Sequence, residues 1–317
     1  MAMRKFKYYF INSLMGILPS FFYRYSRKKS LSNKSQYNED YLKERRDYYC
    51  KSQSKFQLTA DGITKVSNFK KTGGRTYYYD LLKVIRCFPK YFQFKYVNGD
   101  VIDVPTEPSF VKSRPIDGNN NNSILLKLNA VRHYNFVEDK IPFLNKKQMA
   151  VWRGAGFRPN RVVLLEKYFH HPLCNVGRVD HHIAEGKQRE HLTDTMTIDE
   201  QLEYRYIISL EGKDVATNLK WIMSSNSLCF TPKLRYETWF MEGKLIPGFH
   251  YVEVKDDFSD LIEKMEYYNN HTKEALDIIH NANQWVSQFK NAKQEHLISL
   301  MVADKYFEQS GQKQSND

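Results

Sequence analysis

The sequence predicts an α/β fold with a parallel sheet, and three observations lead to this prediction. First, apolar strand-like segments alternate with helix-like segments after Pro142, with short connections between them. Second, several predicted strands end in turns that contain glycine and basic residues. Third, residues 256–307 are predicted to be mostly helical, because large apolar residues recur there at helical spacing. Such alternation is typical of βαβ units in a Rossmann-like half.

Composition bounds the size and the partners of the molecule. The chain has 317 residues, enough for two domains, and 41% of them are hydrophobic, which is typical of a globular protein. The net charge of +12 favours an anionic partner, such as a nucleic acid, an anionic membrane or a phosphorylated ligand. The four cysteines lie far apart without a Cys-x-x-Cys pair, so we expect reduced, buried thiols.

Residues 1–35 form a basic segment rich in aromatic residues. The first 29 residues carry seven Lys or Arg and no acid. Polar residues, among them Lys7, Asn12 and Arg24, make the apolar stretch too polar for a confident transmembrane span. The segment contains no Ala-x-Ala-like cleavage site, which argues against a signal peptide. We expect a helix at an anionic membrane surface, with packing on the protein's own surface as the alternative.

Periodicity and turn residues predict the remaining elements. In the first half we expect helices at 38–50 and 77–88, strands at 91–97 and 124–129, and a proline-containing loop at 98–116. In the second half we expect strands at 149–152, 204–210, 228–232 and 250–254, and helices at 160–169, 214–226 and 236–244.

The stretch AVWRGAGFRPNRVVLLEKYF, residues 150–169, reads as a strand, a basic turn and a helix. In open α/β sheets ligands lie beyond the carboxyl ends of the strands, which is where this turn falls. Asn160 can cap the helix, and Gly154 and Gly156 allow a close backbone approach. Guanidinium groups at a helix start suit a diphosphate, although three arginines at a turn are also typical of a solvated surface. These guanidinium groups belong to Arg153, Arg158 and Arg161.

Two further turns repeat this pattern. In SLEGKDVATNLKW (209–221), Glu211 and Asp214 can accept hydrogen bonds from sugar hydroxyls, and Lys220 adds positive charge. In PKLRYETWFMEG (232–243), Glu237 stands early in the predicted helix, where the helix dipole alone can explain an acid. Three polar turns at one edge of a sheet predict a cleft.

These segments resemble glycosyltransferase family 90. The resemblance rests on VWRGAGFRPNR, on the block from EYRYIISLEGKDVATNLKW to YETWFMEGKLIPGFHYVEV, and on PSFVKSRPI with NSILLKLN, and it covers roughly residues 90–255. LEGKDVATNLKW and YETWFMEG fit the bacterial lipopolysaccharide-core branch. The resemblance implies a GT-B-like fold, two Rossmann-like domains with an interdomain cleft. The expected divisions are the membrane-surface segment 1–35, an acceptor-side domain 36–145, a nucleotide-sugar-binding domain 146–290, and a C-terminal helix and polar tail 291–317.

The resemblance also implies inverting transfer from a UDP-sugar without a metal, and the chain contains no Asp-x-Asp motif. By motif position, Arg153 and Arg161 face the diphosphate. The further donor-site residues are Ser209, Leu210, Glu211, Gly212, Lys220 and Glu237, to which the turn patterns add Gly154, Arg158 and Asp214. Some family members carry arginine where this chain has Asn218, so phosphate binding there rests on Lys220.

Catalysis by inversion requires a general base for the acceptor hydroxyl. The family commonly shows Gly-Asp in the segment NGDVIDVPTEPSF, so we favour Asp100, with Asp103 and Glu107 as alternatives. Lys112 and Arg114 are predicted to contact an anionic acceptor, and an interdomain salt bridge is the other interpretation. For the histidines at 170–171 and 181–182 we expect a polar loop rather than a metal site.

The sequence therefore predicts a hexosyltransferase that moves glucose or galactose from UDP-glucose or UDP-galactose to the lipopolysaccharide core. It would act at the cytoplasmic face of the inner membrane as a peripheral protein, bound to the anionic membrane surface and not to nucleic acid. Two other hypotheses stay open. One is a basic nucleic-acid-binding protein, since 22 tyrosines and 48 Lys or Arg would allow base stacking and phosphate contacts. The other is a non-catalytic scaffold that binds a nucleotide sugar.

Overall fold

The computed structural model describes residues 2–15 and 19–313. The chain divides into two compact units, the first comprising residues 1–133, 235–242 and 289–317, and the second comprising residues 134–234 and 243–288. The α-helices are α1 (Ala2–Met15), α2 (Ser20–Ser32), α3 (Glu39–Tyr49), α4 (Arg75–Ile85), α5 (Ala130–His133), α6 (Pro159–Tyr168), α7 (Ile198–Gln201), α8 (Leu219–Ile222), α9 (Leu261–Asn270), α10 (Thr272–Ser287) and α11 (Ala292–Gln309). The strands are β1 (Thr64–Lys65), β2 (Gln93–Phe94), β3 (Ser109–Val111), β4 (Ser113–Pro115), β5 (Ser123–Leu125), β6 (Lys147–Gly154), β7 (Cys174–Arg178), β8 (Tyr204–Ile208), β9 (Leu228–Thr231), β10 (Tyr236–Thr238) and β11 (Val252–Glu253).

A five-stranded parallel sheet forms the centre of the second unit. Its strands are hydrogen-bonded in the order β11, β9, β8, β6 and β7, and each pairing is parallel. All residues of β8 are buried, as expected for the middle strand of a parallel sheet that is covered on both faces. The α/β class is therefore confirmed, together with the four strands predicted at 149–152, 204–210, 228–232 and 250–254.

Helices of the second unit cover this sheet. Helix α6 packs on β7, α9 on β6 and α10 on β9. Helix α6 starts with a proline, which suits the first helical position because a backbone N–H at that position would have no partner within the helix. Between sheet and helices, the rings of Tyr206 and Phe230 lie 5.1 Å apart, and Met265 and Ile278 are buried against the same cluster. The helices predicted at 160–169 and 256–307 are confirmed as α6 and α9–α11.

Helix α8 is much shorter than the helix predicted at 214–226. It has four residues. Before it, Asn218 donates its side-chain Nδ2 to the carbonyl oxygen of Ile208 at 3.0 Å, which ties the segment back to β8. After it, the hydroxyls of Ser224 and Ser225 each donate to the carbonyl three residues earlier. Such side-chain hydrogen bonds compete with helix propagation, so the helix is shorter than the apolar spacing predicted.

The prediction of a helix beginning at 236 is wrong. Residues Tyr236–Thr238 form β10, which pairs antiparallel with β4 in the first unit and sets Glu237 opposite Arg114. These partners are 123 residues apart in the chain, so no local pattern indicates the pairing. The predicted nucleotide-sugar domain 146–290 includes 235–242, a segment that the structure assigns to the first unit. The predicted domain limits otherwise stay predictions.

Aromatic packing and buried charge hold the first unit together. The Phe110 and Tyr306 rings lie 4.4 Å apart, and the Phe88 and Phe307 rings 4.7 Å apart, which fixes α11 against β3 and the segment that follows α4. Helix α3 is attached to α11 by the buried ion pair of Arg45 with Glu295. The helices predicted at 38–50 and 77–88 are confirmed as α3 and α4, whereas only 93–94 and 123–125 are strands near the predicted ones at 91–97 and 124–129.

The cysteines and the basic segment also test the sequence predictions. All four cysteines are buried and free, as predicted, and burial raises the pKa of Cys50 to about 11. The basic segment 1–35 contains α1 and α2, except that residues 1 and 16–18 lie outside the described part. Within the described part of the chain, no helix combines the length and apolar character needed to cross a membrane.

Candidate functional site

The first candidate site lies in the second unit, at the carboxyl ends of β6 and β8. We call it the strand-end site and define it as residues 153–161 and 209–220. Arg161 joins its two segments, because Nη1 donates to the carbonyl of Ala155 and Nη2 to the carbonyl of Leu210, both at 3.0 Å. Asn160 adds a link of 3.1 Å from Nδ2 to the carbonyl of Glu211. The structure therefore brings together two of the three turns singled out in the sequence.

Asn160 does not cap α6, contrary to the prediction. The cap position is Arg158, which has extended backbone angles and makes no cap hydrogen bond through its side chain. Its guanidinium carbon instead lies 5.0 Å from the centre of the Phe157 ring. Pro159 has no N–H, and the N–H groups of Arg161 and Val162 donate to the carbonyl of Arg158, so the first turn of α6 offers an anion at most the N–H of Asn160, beside the guanidinium of Arg158.

Arg153 is held by uncharged oxygens. Its Nε donates to the carbonyl of Asp194 at 3.1 Å, and its Nη1 donates to the carbonyls of Trp152 at 3.0 Å and Asn175 at 2.7 Å. Its Nη2 donates to the side-chain oxygen of Asn175 at 2.6 Å. Burial lowers the pKa of Arg153, and the nearby Tyr204 and Asp194 offset this only in part. These contacts fix the guanidinium in place without an ion pair of their own.

The two glycines of the basic turn are required by packing. A Cβ on Gly154 would lie 2.7 Å from Cζ2 of Trp152, and a Cβ on Gly156 would lie 2.8 Å from Cβ of Arg178. Side chains of the second unit itself therefore explain both glycines. The predicted close approach of a ligand to Gly154 stays a prediction.

The second segment of the site is tied to the sheet. Ser209 donates its backbone N–H to the carbonyl of Phe230 at 2.8 Å, and its hydroxyl lies 3.1 Å from the side-chain oxygen of Asn218. The N–H of Gly212 donates to the carbonyl of Asp214 at 2.9 Å, which closes a tight turn. The predicted site residues Leu210, Glu211, Asp214 and Lys220 are all buried here, with the Lys220 ammonium 5.6 Å from the centre of the Tyr134 ring.

Arg178 and Asp180 were not singled out as a pair by the sequence, although they lie beside the basic turn. Arg178 ends β7 and makes a bidentate contact with Asp180, with distances of 2.8 and 2.7 Å. The same carboxylate accepts the N–H of Gly156 at 3.0 Å. Burial alone would raise the pKa of Asp180, but these hydrogen bonds and the charge of Arg178 outweigh it and lower the pKa. The sequence signal was an Arg-x-Asp at the end of an apolar strand.

The second candidate site lies in the first unit and centres on Asp100; we call it the Asp100 cluster, formed by Asp100, Lys112, Tyr77 and Asn129. The ammonium of Lys112 lies 2.7 Å from Oδ1 of Asp100, and the hydroxyl of Tyr77 donates to the same oxygen. Asn129 donates to the Tyr77 oxygen at 3.2 Å. Burial by itself raises the pKa of Asp100, but Lys112 and Tyr77 outweigh it, so the pKa lies below its ordinary value.

The alternative acids have different surroundings. Asp103 is exposed. Glu107 accepts hydrogen bonds from the backbone and hydroxyl of Thr59 and pairs with Lys95 at 2.9 Å, and these contacts lower its pKa to about 2. Asp100 differs from both because its carboxylate pairs with a buried lysine while its side chain is 32% exposed. The assignment of Asp100 as the base remains a prediction that this geometry favours.

Arg114 and Glu237, predicted for acceptor and donor respectively, form a buried pair within the first unit. Nε of Arg114 lies 2.7 Å from Oε1 of Glu237, and the two side chains are 0% and 1% exposed. The hydroxyl of Tyr48 donates to the other carboxylate oxygen of Glu237, and Nη2 of Arg114 donates to the Tyr48 carbonyl at 2.8 Å. The pair is a salt bridge between the predicted domains 36–145 and 146–290, as in the alternative interpretation, but the structure assigns both residues to the first unit.

Among the residues that the structure describes, no group of three or more His, Cys, Asp or Glu side chains is arranged to hold a metal ion. Asp180 is engaged by Arg178, as described, and His181 lies 3.2 Å from the carbonyl of Thr193.

A parallel α/β sheet with arginine-bearing and glycine-bearing loops at its carboxyl edge is typical of enzymes whose ligands contain phosphate. The sequence matches the model of Glycosyl transferase family 90 over residues 127–303. The chain belongs to this family, which confirms the resemblance seen in its motifs.

Similar proteins agree with this assignment. The chain is 42% identical over 305 residues to O-glucosyltransferase LpsA of Dichelobacter nodosus, covering 96% of this chain and 95% of that protein. It is 24% identical over 173 residues to human Protein O-glucosyltransferase 3, covering 54% of this chain and 34% of that protein. It is 32% identical over 135 residues to Protein O-glucosyltransferase 2 of Danio rerio, covering 40% and 26%. The chain is therefore a glycosyltransferase of the hexosyltransferase class.

Proposed function

We propose that this protein transfers glucose or galactose from a UDP-sugar to a sugar of the lipopolysaccharide core, with inversion at the anomeric carbon and without a bound metal. The similarity to O-glucosyltransferase LpsA over nearly the whole chain favours glucose. The single structural observation that supports a donor site is the link through Arg161 between the two segments of the strand-end site.

The departing UDP needs positive charge where other enzymes use a metal ion. Arg153 is suited to this role because uncharged oxygens orient its guanidinium. The N–H of Asn160, at the second position of α6, would add a further attraction for a diphosphate. In this proposal Arg153, Arg158 and Arg161 face the diphosphate, and the loop from Ser209 to Asp214 contacts the rest of the donor.

Asp100 is the proposed general base. The carboxylate of Asp100 is ionised at neutral pH and can accept a proton. Lys112 and Tyr77 lower its pKa and so weaken it as a base, and positioning beside the acceptor hydroxyl has to offset this. The carboxylate takes the proton of the acceptor hydroxyl while that oxygen attacks the anomeric carbon, and the bond between this carbon and the UDP oxygen breaks. Lys112 orients Asp100, and we propose that it also lies near the anionic acceptor.

The two units would correspond to the two domains of a GT-B-like fold, with the Asp100 cluster on the acceptor side. The acceptor would be the lipid-linked core oligosaccharide at the cytoplasmic face of the inner membrane. The net charge of +12 is consistent with a phosphorylated acceptor at an anionic surface.

Calorimetric titration tests the donor side of this proposal. Wild-type protein would be titrated with UDP, UDP-glucose and UDP-galactose in the presence of EDTA, beside Arg161→Ala and the matched control Arg189→Ala, whose arginine is exposed in the same unit. We expect micromolar binding that survives EDTA, falls in Arg161→Ala and persists in Arg189→Ala. Folded wild-type protein that binds none of the three ligands would refute the donor assignment.

A further inference from the structure

Helices α1 and α2 expose large apolar side chains to solvent. In each of six such residues, between 41% and 72% of the surface is exposed. The Phe6 and Phe10 rings are stacked at 6.2 Å, and the Phe21 and Phe22 rings at 4.1 Å. Exposed apolar surface on this scale marks an interaction site more often than chance placement does. The six residues are Phe6, Phe10, Ile11, Phe21, Phe22 and Tyr25.

The opposite face of α1 is anchored to the first unit. The hydroxyl of Tyr8 donates to Oδ1 of Asp80 at 2.7 Å, and Asn12, one turn further along, is buried. Tyr8 and Asn12 are four residues apart and therefore share one face of the helix. Phe6 and Phe10 are also four residues apart, but their positions are shifted by two residues, which places them on the opposite face. The helix therefore has one face on the protein and an aromatic face directed away from it.

Helix α2 is anchored in the same way. Tyr23 is buried, with the guanidinium carbon of Arg86 3.8 Å from its ring centre. Arg27 forms an ion pair with Asp304 of α11, and its guanidinium lies 4.5 Å from the centre of the Phe88 ring. Because both helices are fixed by specific contacts, their outward aromatic residues belong to a defined surface.

The charged residues of α1 and α2 themselves are all basic. The first acid in the sequence is Glu39, whereas seven Lys or Arg precede residue 30. Exposed basic side chains on the two helices include Lys7, Arg24, Lys28 and Lys29. Helices that lie in a membrane interface combine aromatic residues with Lys and Arg in this way. A second copy of the chain would set basic surface against basic surface, so charge complementarity favours an anionic bilayer.

We propose that α1 and α2 together form a docking surface for an anionic lipid bilayer. The exposed phenylalanines would enter the interface between headgroups and acyl chains, and the lysines and arginines would contact anionic headgroups. This inference does not depend on which sugar is transferred. It gives the proposed membrane location a physical basis in two helices that lie outside the family match at 127–303.

Vesicle co-sedimentation of the full chain tests the proposal. The probes are phosphatidylcholine vesicles with and without 30% phosphatidylglycerol, at low and high salt. We expect binding that requires phosphatidylglycerol and weakens as salt rises. Phe6→Ser with Phe10→Ser should reduce the partition coefficient at least tenfold, whereas Tyr91→Ser should leave it unchanged, because Tyr91 is 68% exposed but lies outside the two helices.

A charge-matched pair completes the test. Lys28→Ala with Lys29→Ala should lower binding to the anionic vesicles roughly thirtyfold. Lys70→Ala with Lys71→Ala removes an exposed lysine pair elsewhere in the first unit and should lower binding much less. In a separate measurement, bromolipids should quench tryptophan introduced by Phe6→Trp and spare that introduced by Tyr91→Trp.

The proposal would be overturned by folded wild-type protein that does not bind anionic vesicles, by equal losses in both lysine pairs, or by equal quenching at both tryptophan positions. Self-association that requires Phe6 and Phe10 without vesicle binding would also overturn it and indicate a second copy as the occupant. UDP titration of the same variants keeps this result separate from the proposed donor site, since the docking variants should bind UDP as wild type does.

Discussion

Asp100 in the first unit and Arg153 in the second unit are held in opposite ways. In the first unit Asp100 is paired with Lys112, and Arg114 with Glu237, so each charge is balanced by a neighbour. In the strand-end site Arg153 is oriented by carbonyl and amide oxygens that carry no net charge. A balanced ion pair stabilises the structure or shifts the pKa of its carboxylate. An oriented but unbalanced guanidinium keeps its attraction for an anionic ligand. This difference favours the second unit for a diphosphate and the first for proton transfer.

The largest expected effect concerns the Asp100 cluster. Asp100→Asn should lower kcat/KM for sugar transfer by about 10²- to 10⁴-fold, the usual contribution of a general base, and leave UDP binding intact. Asp103→Asn, at an exposed alternative acid, should change the rate little. A steady-state transfer assay on both variants decides between them, and a larger loss in Asp103→Asn would move the base assignment to that residue.

The buried pair is expected to control stability. Arg114→Ala should reduce the free energy of unfolding by about 3–5 kcal/mol, because Glu237 would keep a buried charge without its partner. Urea denaturation measures this change. The double variant Arg114→Met with Glu237→Met should recover much of the loss. If it recovers stability but not transfer, the pair has a functional role besides its structural one.

Removing the unbalanced guanidinium should affect ligand affinity. Arg153→Ala should weaken UDP binding about ten- to a hundredfold, the range expected for a charged hydrogen bond. Calorimetric titration measures the change, with Arg189→Ala as the exposed control. Unchanged affinity in Arg153→Ala would mean that its contacts with Asn175 and Asp194 are purely structural.

The smallest expected effect is a displaced pH profile. The pKa of Asp100 lies below its ordinary value of about 3.9. The stability that this shift provides is fully present above about pH 3.9 and is lost as the pH falls through the lowered pKa, where the carboxylate becomes protonated. Lys112→Met removes the positive charge and should raise this pKa. The acidic limb of kcat/KM against pH should therefore move to higher pH, and an unmoved limb would show that Asp100 does not control it.

Elements with local signals were predictable from the sequence. The strand at 149–152 and the helix at 160–169 were found because their apolar pattern agrees with the tertiary structure, whereas the start of the helix at Pro159 was not predicted. Strand β10 was missed because its partner β4 is distant in the chain, and helix α8 was overestimated because serine and asparagine side chains bind the backbone. Short amphipathic segments are decided by such non-local contacts.

The sequence identified candidate site residues but did not show which of them pair with one another. Asp100 and Lys112 were both assigned to the acceptor side but with separate roles, and Arg114 and Glu237 were assigned to different substrates, although the structure joins the members of each pair. Motifs reveal which side chains are present, whereas pairing depends on the register of strands far apart in sequence. The contacts of Arg161 with Leu210 follow from the parallel order of β6 and β8, which strand alternation did indicate.

The division of the chain has a consequence for its synthesis on the ribosome. The chain passes between the two units at 133–134, 234–235, 242–243 and 288–289. The second unit lies entirely within 134–288, whereas the first needs α11, with Glu295 and Tyr306, to complete its core. The N-terminal residues of the first unit therefore cannot complete their core until α11 has been synthesised, whereas the sheet of the second unit can assemble before that. Until α11 emerges, Arg45 lacks the carboxylate that neutralises it in the folded protein.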